Sequence, residues 1–342
     1  MTEFEIASAG LVCGVGLSAD AGFAAMRAAT SMFTDTRFLD ANGAWIVGSA
    51  VPLPEELRGR ERMVTMLGMA VADCLRNAAW PLATPLPLLV GVAEPERPGR
   101  IDGLDASLLG DAARLAGIPP DRDSGVIAAG RASIGPALER AAELLASGRE
   151  ACVVAGVDTL LTGPTLAALE AGDRLLTTQY SNGFVPGEGA SAVLLRRPGS
   201  SRAPAPRCIG LGSGRERATL GSGEPLRGDG LTRAVRAALE QCDRTLDDVD
   251  WRVADIGGSS YEFKEADLAL NRILRSHKDG FDLWHPADCI GETGAAAGPC
   301  VLGNVLYAVR KDYAPGSTAL CHFSSDDGHR IAAILTHAPG GR

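Results

Sequence analysis

The chain has 342 residues, of which 46% are hydrophobic and 22% charged, and its formal net charge is −9 at neutral pH. This length suits one large or two ordinary domains with a sizeable core. An acidic chain without a block of Lys or Arg is a poor binder of nucleic acids and anionic membranes. The high, non-periodic apolar content also excludes a disordered or collagen-like chain.

The eight cysteines form no CxxC or CxH cluster. This spacing argues against a zinc site and a redox pair, so neither a metal nor a cofactor is expected. The first residues, Met-Thr-Glu-Phe-Glu-Ile, lack the basic stretch of a signal peptide. No apolar run reaches the about 20 residues that span a bilayer. These features predict a cytoplasmic protein that does not insert into a membrane.

The first part of the chain alternates between predicted strands and helices. Strands are predicted over 4–14, 86–92, 125–129, 150–157 and 189–195. Helices are predicted over 18–29, 60–79, 105–115 and 132–147, and Ser18 is suited to cap the first of them. This alternation predicts a largely parallel sheet that is covered by helices on both faces.

A stretch rich in Pro, Gly and Ser over 198–206 has the composition of a linker. After it the same alternation begins again. Strands are predicted over 207–212, 251–256, 317–323 and 330–337. Helices are predicted over 230–241 and 264–277, and from a Gly/Ala-rich element at Gly291 to about Lys311. The order of elements therefore predicts two pseudo-duplicated halves, residues 1–197 and 207–342, joined by the linker.

Two motifs of small residues stand out, Gly183-Phe-Val-Pro-Gly-Glu-Gly-Ala-Ser-Ala-Val-Leu-Leu195 and Gly291-Glu-Thr-Gly-Ala-Ala-Ala-Gly298. Taken separately, each indicates a place where the backbone packs closely against another element. A third glycine-rich segment, over 10–16, lacks the GxGxxG spacing of a dinucleotide-binding turn. It is best explained as a structural turn between a strand and a helix.

In this order and spacing, the two motifs resemble the β-ketoacyl synthase branch of the thiolase superfamily. That family has a GFxxGEGA strand that closes its first half and a GHtxGAAG element in its second. The segment 132–161 is similar to the helix after the family's nucleophile and to the following strand. The resemblance covers essentially the whole chain. It implies an α/β, thiolase-like fold in which two pseudo-duplicated βαβαβ halves form a single αβαβα layered unit.

The family's condensing enzymes use a cysteine at a helix N-terminus and two histidines that stabilise the enolate. Counting back from Gly135, the resemblance puts the nucleophile position at Ile127. The first histidine position corresponds to Asp255 or Ile256, and the second to Glu292. Isoleucine cannot be acylated, and carboxylates near an enolate repel its developing charge. The resemblance therefore implies that the family's catalytic side chains are absent from the matching positions and that the chain does not perform an ordinary Claisen condensation.

Polar residues remain around these degenerate positions. The predicted ligand pocket consists of Ile127, Ser259, Gly291, Glu292 and Asp326. A relocated nucleophile and base is an alternative, with Cys289 as nucleophile and His285, Glu292 or His329 as its partner. The simpler interpretation is that Cys289 is a small core residue and His285 a loop residue.

The resemblance and the altered site residues lead to three hypotheses about function. The leading hypothesis is a catalytically impaired synthase-like protein that acts as a partner or acyl-binding subunit in fatty-acid or polyketide-type acyl metabolism. The first alternative is an active acyltransferase or thioester-processing enzyme with a rearranged site around Cys289, Glu292 and His329. The second is a scaffold or interaction protein without an acyl ligand.

The resemblance also implies partners. Family members dimerise through the strand before the nucleophile helix, here about residues 123–128. A homodimer or a heterodimer with an active synthase is therefore expected, and an acyl carrier protein is a further candidate. The densest basic group is Arg58-Gly-Arg60-Glu-Arg62. It is either a docking site for such an acidic partner or a solvated helix start.

Overall fold

The structure is a computed structural model that describes residues 3–81, 84–119, 121–201 and 203–338. The strands in these ranges are β1 Phe4–Val12, β2 Thr34–Leu39, β3 Trp45–Gly48, β4 Leu88–Val92, β5 Gly125–Ala128, β6 Ala151–Thr159, β7 Glu188–Arg196, β8 Arg207–Arg215, β9 Trp251–Ala254, β10 Leu283–Trp284, β11 Thr318–Ser324 and β12 His329–Thr336. The α-helices are α1 Ala19–Arg27, α2 Gly59–Asn77, α3 Ala106–Ala116, α4 Ile134–Ala146, α5 Gly163–Ala171, α6 Asp229–Gln241, α7 Ser260–Asn271, α8 Ala287–Ile290 and α9 Ala297–Arg310.

Ten strands form one hydrogen-bonded sheet in the order β10-β9-β11-β12-β8-β1-β7-β6-β4-β5. Each half contributes five strands, which we number one to five along the chain within that half. From the edge of the sheet to its centre, both halves then have the order third, second, fourth, fifth and first. The halves meet where β1 pairs with β8 through Phe4 with Cys208 and Glu5 with Arg207. This repeated order confirms the thiolase-like fold of two pseudo-duplicated halves.

The sheet is mixed, and the expectation of a largely parallel sheet is wrong. Strand β4 is parallel to β5 and β6, and β9 is parallel to β10 and β11. The pairs in the middle of the sheet, from β11 through β12, β8, β1 and β7 to β6, are antiparallel. Strands that are buried on both faces are apolar throughout, so their sequences do not reveal their direction.

Helices and sheet form five layers, because the two halves of the sheet lie on either side of a central layer of helices. Helices α2 and α3 cover the outer face of the first half, and α6 and α7 cover that of the second. Between the halves lie α4 and α9, which share one core with inward-facing residues of both. A Cβ atom at Gly298 would lie 2.7 Å from Cβ of Ile134. This close approach of α9 to α4 accounts for the glycine at position 298 of the 291–298 motif.

Most predicted elements are present with shifted ends. Ser18 caps α1, as predicted, by accepting a hydrogen bond from the Ala21 amide. The helix predicted over 264–277 is α7, which begins earlier and ends at Asn271. The hairpin of β2 and β3 and the helix α5 were not predicted. None of the helices in the described ranges combines the length and apolar character needed to cross a bilayer.

Candidate functional site

The site begins at the turn that connects β5 to α4. Gly130 has a φ of +51°, a left-handed conformation that glycine adopts without strain. It opens a 3₁₀ turn over Gly130–Ser133. The Ser133 hydroxyl donates to the Ile127 carbonyl at 2.9 Å and accepts from the Ala129 amide at 3.3 Å. This turn directs the side chain of Arg131 toward the second half of the molecule.

Arg131 lies among four carboxylates of the second half. Its Nη1 donates to Glu262 Oε1 at 2.7 Å and to Glu292 Oε2 at 2.9 Å. The same nitrogen donates to the Asp255 carbonyl at 3.0 Å. Nη2 lies 3.9 Å from Asp326 Oδ1. Only 10% of the Arg131 side chain is exposed, so this cation is buried with its counter-ions, as a buried charge requires.

The carboxylates of Asp255 and Glu292 are also held by backbone amides. Both oxygens of Asp255 accept from the Ser324 amide at 3.1 Å, and Glu292 Oε1 accepts from the Gly294 amide at 2.8 Å. Burial raises the pKa of Asp255 to about 7 and that of Glu292 to about 7, although Arg131 opposes the rise. These two acids therefore take up and release protons near neutral pH.

Glu262 behaves differently from its two neighbours. Burial alone would raise its pKa, but the charge of Arg131 and its hydrogen bond outweigh burial and hold the pKa below its ordinary value. Glu262 is thus the ionised partner of Arg131. Asp255 and Glu292 have raised pKa values chiefly because they are buried, and the charges of neighbouring carboxylates add a smaller rise.

A cleft of about 680 Å³ opens beside this cluster. Arg131 and Glu292 line its inner end. At its edge Asp326 accepts two hydrogen bonds from Arg174, at 2.9 and 3.1 Å. Residues of both halves line the cleft, so it lies at the junction of the two halves.

The structure brings together some of the residues predicted for the pocket. Asp255 and Glu292 share the Arg131 cluster, and Asp326 lies at its edge. Ser259 caps α7 and donates to Glu262 Oε2 at 3.1 Å. Gly291 is buried against the backbone of the 183–195 motif and does not line the cleft.

Ile127 is the exception among the predicted residues. It lies within β5 and packs against the central core. Arg131 lies four residues further along the chain, in the 3₁₀ turn that precedes α4. The structure thus places Ile127 in the strand before this turn, whereas Arg131 contacts the acids of the second half. The available signal for Arg131 was that it is the only charged residue in the segment 125–138.

Cys289 does not have the properties of an activated nucleophile. It is buried in α8, and burial together with the charge of Asp288 raises its pKa. The pKa values of all eight cysteine thiols are raised, with burial as the largest cause. A catalytic thiol requires the opposite shift.

The histidines suggested as partners of Cys289 lie beside other acidic side chains. His285 Nδ1 lies 3.2 Å from Asp288 Oδ1. His329 is half-exposed on β12 and is paired with Asp327. Among the described residues, no hydrogen bond or ion pair joins Cys289, Glu292 and His329. The rearranged site predicted as an alternative is therefore not assembled in this structure.

Glu188 of the 183–195 motif forms a second buried ion pair. Arg62 donates to both of its oxygens through Nε, at 3.0 and 3.1 Å, and the Val51 amide donates to Oε1 at 3.0 Å. Arg60 pairs with Asp111 at 2.8 Å. Two of the three arginines in the basic stretch are thus paired with carboxylates of the chain itself, Arg62 in a buried pair and Arg60 in a pair that is about one-third exposed.

No set of three or more His, Cys, Asp or Glu side chains in the described ranges is arranged to hold a metal ion.

The family model described as "Beta-ketoacyl synthase, N-terminal domain" matches residues 125–199. This segment contains Arg131, Glu188 and the strands β5, β6 and β7. No curated protein matches the chain.

Solved structures match the whole chain at low sequence identity. The ishigamide ketosynthase/chain length factor is 16% identical with a TM-score of 0.76, and the match covers 98% of this chain and 99% of that one. A ketosynthase in complex with its chain length factor from Xenorhabdus doucetiae is 14% identical with a TM-score of 0.78, and 98% of each chain is covered. A β-ketoacyl synthase from Burkholderia phymatum STM815 is 14% identical with a TM-score of 0.72, over 99% of this chain and 100% of that one. The chain thus has the fold of these ketosynthase structures, and its segment 125–199 is similar to the N-terminal domain of β-ketoacyl synthases.

Proposed function

We propose that this protein is a catalytically impaired β-ketoacyl synthase-like subunit, which serves as a partner or acyl-binding subunit in fatty-acid or polyketide-type acyl metabolism. The observation that carries the proposal is the Arg131 cluster. At the helix start that faces Asp255 and Glu292 stands a buried guanidinium, held by Glu262 and Glu292 at 2.7 and 2.9 Å.

The chemistry of this cluster supports the proposal. A guanidinium stays protonated at all working pH values and cannot serve as an acyl acceptor. Asp255 and Glu292 face it, and a carboxylate disfavours the negative charge that an enolate develops. The eight thiols, whose pKa values are all raised by burial, offer no substitute nucleophile. The first alternative, an enzyme built on Cys289, Glu292 and His329, has no such geometric support.

A role as partner is supported by the edge of the sheet. Strand β5 is the last strand of the ten and pairs with β4 alone, and its four residues are only half-buried. An edge strand with unpaired backbone groups is suited to pair with a second chain. Two of the similar structures are described as a ketosynthase with a chain length factor, and a third as a type II polyketide ketosynthase with an acyl-carrier protein. We propose pairing through residues 123–128, with an active synthase or a second copy, and an acyl carrier protein as a further partner.

The test is intact-mass spectrometry of the purified protein after incubation with malonyl- and acyl-thioesters. We expect no covalent acyl adduct, while an active ketosynthase treated in parallel is acylated. Native mass spectrometry of the protein alone and with a co-expressed synthase tests the partner role, and a dimer is expected in at least one sample. An acyl adduct, or a chain that stays monomeric in both samples, would contradict the proposal.

A further inference from the structure

A second cavity lies on the other side of the segment that follows β6. Thr159 and Leu161 line this cavity, whereas Leu160 between them lines the cleft. The cavity opens between the hairpin of β2 and β3 and the segment 50–59, and its volume of about 640 Å³ lies within the range of small-molecule sites. No described residue lines both spaces, so the cavity is separate from the site around Arg131.

Much of the wall of this cavity is apolar. Hydrophobic side chains from four separate segments of the chain line it, namely Phe38, Val51, Leu53, Ile101 and Leu161. An apolar molecule that covers this wall gains about 25 cal/mol for each Å² of apolar surface that leaves water. The wall therefore favours a ligand with an apolar chain.

The exposed charges around the cavity balance each other. Arg37 and Arg58 line it with exposed side chains, and so do Asp35 and Glu55. Two cations and two anions leave no net charge at the entrance. The entrance therefore favours neither an anionic nor a cationic ligand.

The polar part of the wall is the buried pair of Arg62 and Glu188. Glu188 is saturated, because the Val51 amide and the Thr159 hydroxyl donate to it in addition to Arg62. Arg62 is not: its Nη1 carries two N–H groups and, among the described residues, makes one long hydrogen bond, 3.4 Å to the Leu57 carbonyl. The pair thus has no net charge and offers one N–H donor to the cavity.

We propose that this cavity binds an uncharged apolar molecule with a hydrogen-bond acceptor, such as a medium-chain ketone or ester. Its chain lies along the apolar wall, and its carbonyl oxygen accepts from Arg62 Nη1. A carboxylate is disfavoured because it also lies beside Glu188, and a pair without net charge does not offset its loss of hydration. An ammonium ion is disfavoured because it has only donors. This goes beyond the proposed function, which concerns the site around Arg131.

The experiment compares three probes with the same number of carbon atoms, 2-octanone, octanoate and octylammonium, by titration calorimetry at pH 7.5, where the last two are ionised. We expect 2-octanone to bind about threefold to tenfold more tightly than either ion, which is the effect of one net hydrogen bond. An ion that binds as tightly as 2-octanone, or no binding of 2-octanone, would overturn the proposal.

Filling the cavity tests where the probe binds. Ala50 lines the cavity from an exposed position, so Ala50→Phe brings a ring into it and should weaken the binding of 2-octanone by about tenfold or more. The matched control is Ala24→Phe, at an exposed position of α1 that lines neither the cavity nor the cleft, and it should leave binding unchanged. Unchanged binding in Ala50→Phe would place the probe elsewhere and overturn the proposal.

A second variant tests the donor. Arg62→Lys keeps a cation beside Glu188 but lacks the planar guanidinium with its additional N–H groups. The preference for 2-octanone over octylammonium should therefore fall several-fold. An unchanged preference in folded Arg62→Lys would overturn the assignment of Arg62 as the donor, and if this variant does not fold, Ala50→Phe and the order of the three probes decide the proposal.

Discussion

Arg131 Nη1 lies 2.9 Å from Glu292 Oε2, so a cation of the first half neutralises an acid of the second at the junction of the two. Among the described residues, the Glu292 side chain otherwise accepts a hydrogen bond only from the Gly294 amide, on its other oxygen. The Arg131 side chain therefore fills the space between the acids of the site and also links the two halves. Its removal affects the stability of the fold and the protonation of the acids at the same time.

Arg131→Met should destabilise the protein strongly. Without the guanidinium, Asp255, Glu262 and Glu292 form a buried group of acids with no counter-ion. Removing one partner of a buried ion pair costs about 3–5 kcal/mol. The free energy of unfolding, measured by urea denaturation, should fall by this amount at pH 8 and by less at pH 6, where protonation relieves the repulsion.

The matched control is Arg140→Met, on the same helix that follows Arg131. Arg140 pairs with Glu143 at 3.1 Å, but the two side chains are 47% and 67% exposed. An exposed pair of this kind contributes about 0–1 kcal/mol. Equal losses in the two variants, or a loss at Arg131 that does not change with pH, would show that the cluster is not a buried charge network.

Glu292→Gln should change how stability depends on pH. Burial raises the pKa of Glu292 in the folded protein to about 7, above its value of about 4.3 in the unfolded chain. Between these values the folded state holds a proton that the unfolded state has lost. The stabilisation from this proton is complete below about pH 4 and is lost as the pH rises through 7.

The measured quantity is the free energy of unfolding of the wild type minus that of Glu292→Gln, at each pH from 5 to 8. It should decrease with rising pH, by up to about 1.4 kcal/mol per pH unit below pH 7. Glu240→Gln on the exposed face of α6 serves as the control, with a difference that stays constant. A constant difference for Glu292→Gln as well would mean that its proton is not retained on folding.

The sequence predicted the layered, pseudo-duplicated fold, but it predicted neither the antiparallel strands in the middle of the sheet nor the centre of the site. The stripe of apolar residues in α2 and the cap at Ser18 depend on local spacing, which the sequence shows directly. Helix α5 is apolar on all sides, so it has no period to detect, and the hairpin of β2 and β3 has exposed Leu39 and Trp45 where alternation would predict polar residues. Asp255 and Glu292 could be placed through the resemblance. Arg131 could not, because its role depends on a 3₁₀ turn and on acids more than 120 residues away.

The Arg62–Glu188 pair should be strongly coupled in a double-mutant cycle. Its side chains are 14% and 4% exposed, and it connects α2 to the 183–195 motif. With Arg62→Met and Glu188→Gln, we expect a coupling energy of about 2–3 kcal/mol in urea denaturation. The control cycle, Arg60→Met with Asp111→Asn, involves the same helix but a pair that is one-third exposed, and should give less than about 1 kcal/mol. Similar coupling in the two cycles would contradict the buried role of Glu188.

Thiol labelling tests whether any cysteine is activated. Seven of the eight cysteines are buried and only Cys242, at the C-terminal end of α6, is half-buried. Because burial raises the pKa of every thiol, including Cys242, the folded protein at pH 7.5 should react slowly with Ellman's reagent. Cys242 should react first, about tenfold or more ahead of the others, which wait for local or global unfolding. Cys242→Ser should remove this first phase, and Cys289→Ser should leave it intact. A fast phase that disappears with Cys289→Ser would instead support the rearranged active site around Cys289.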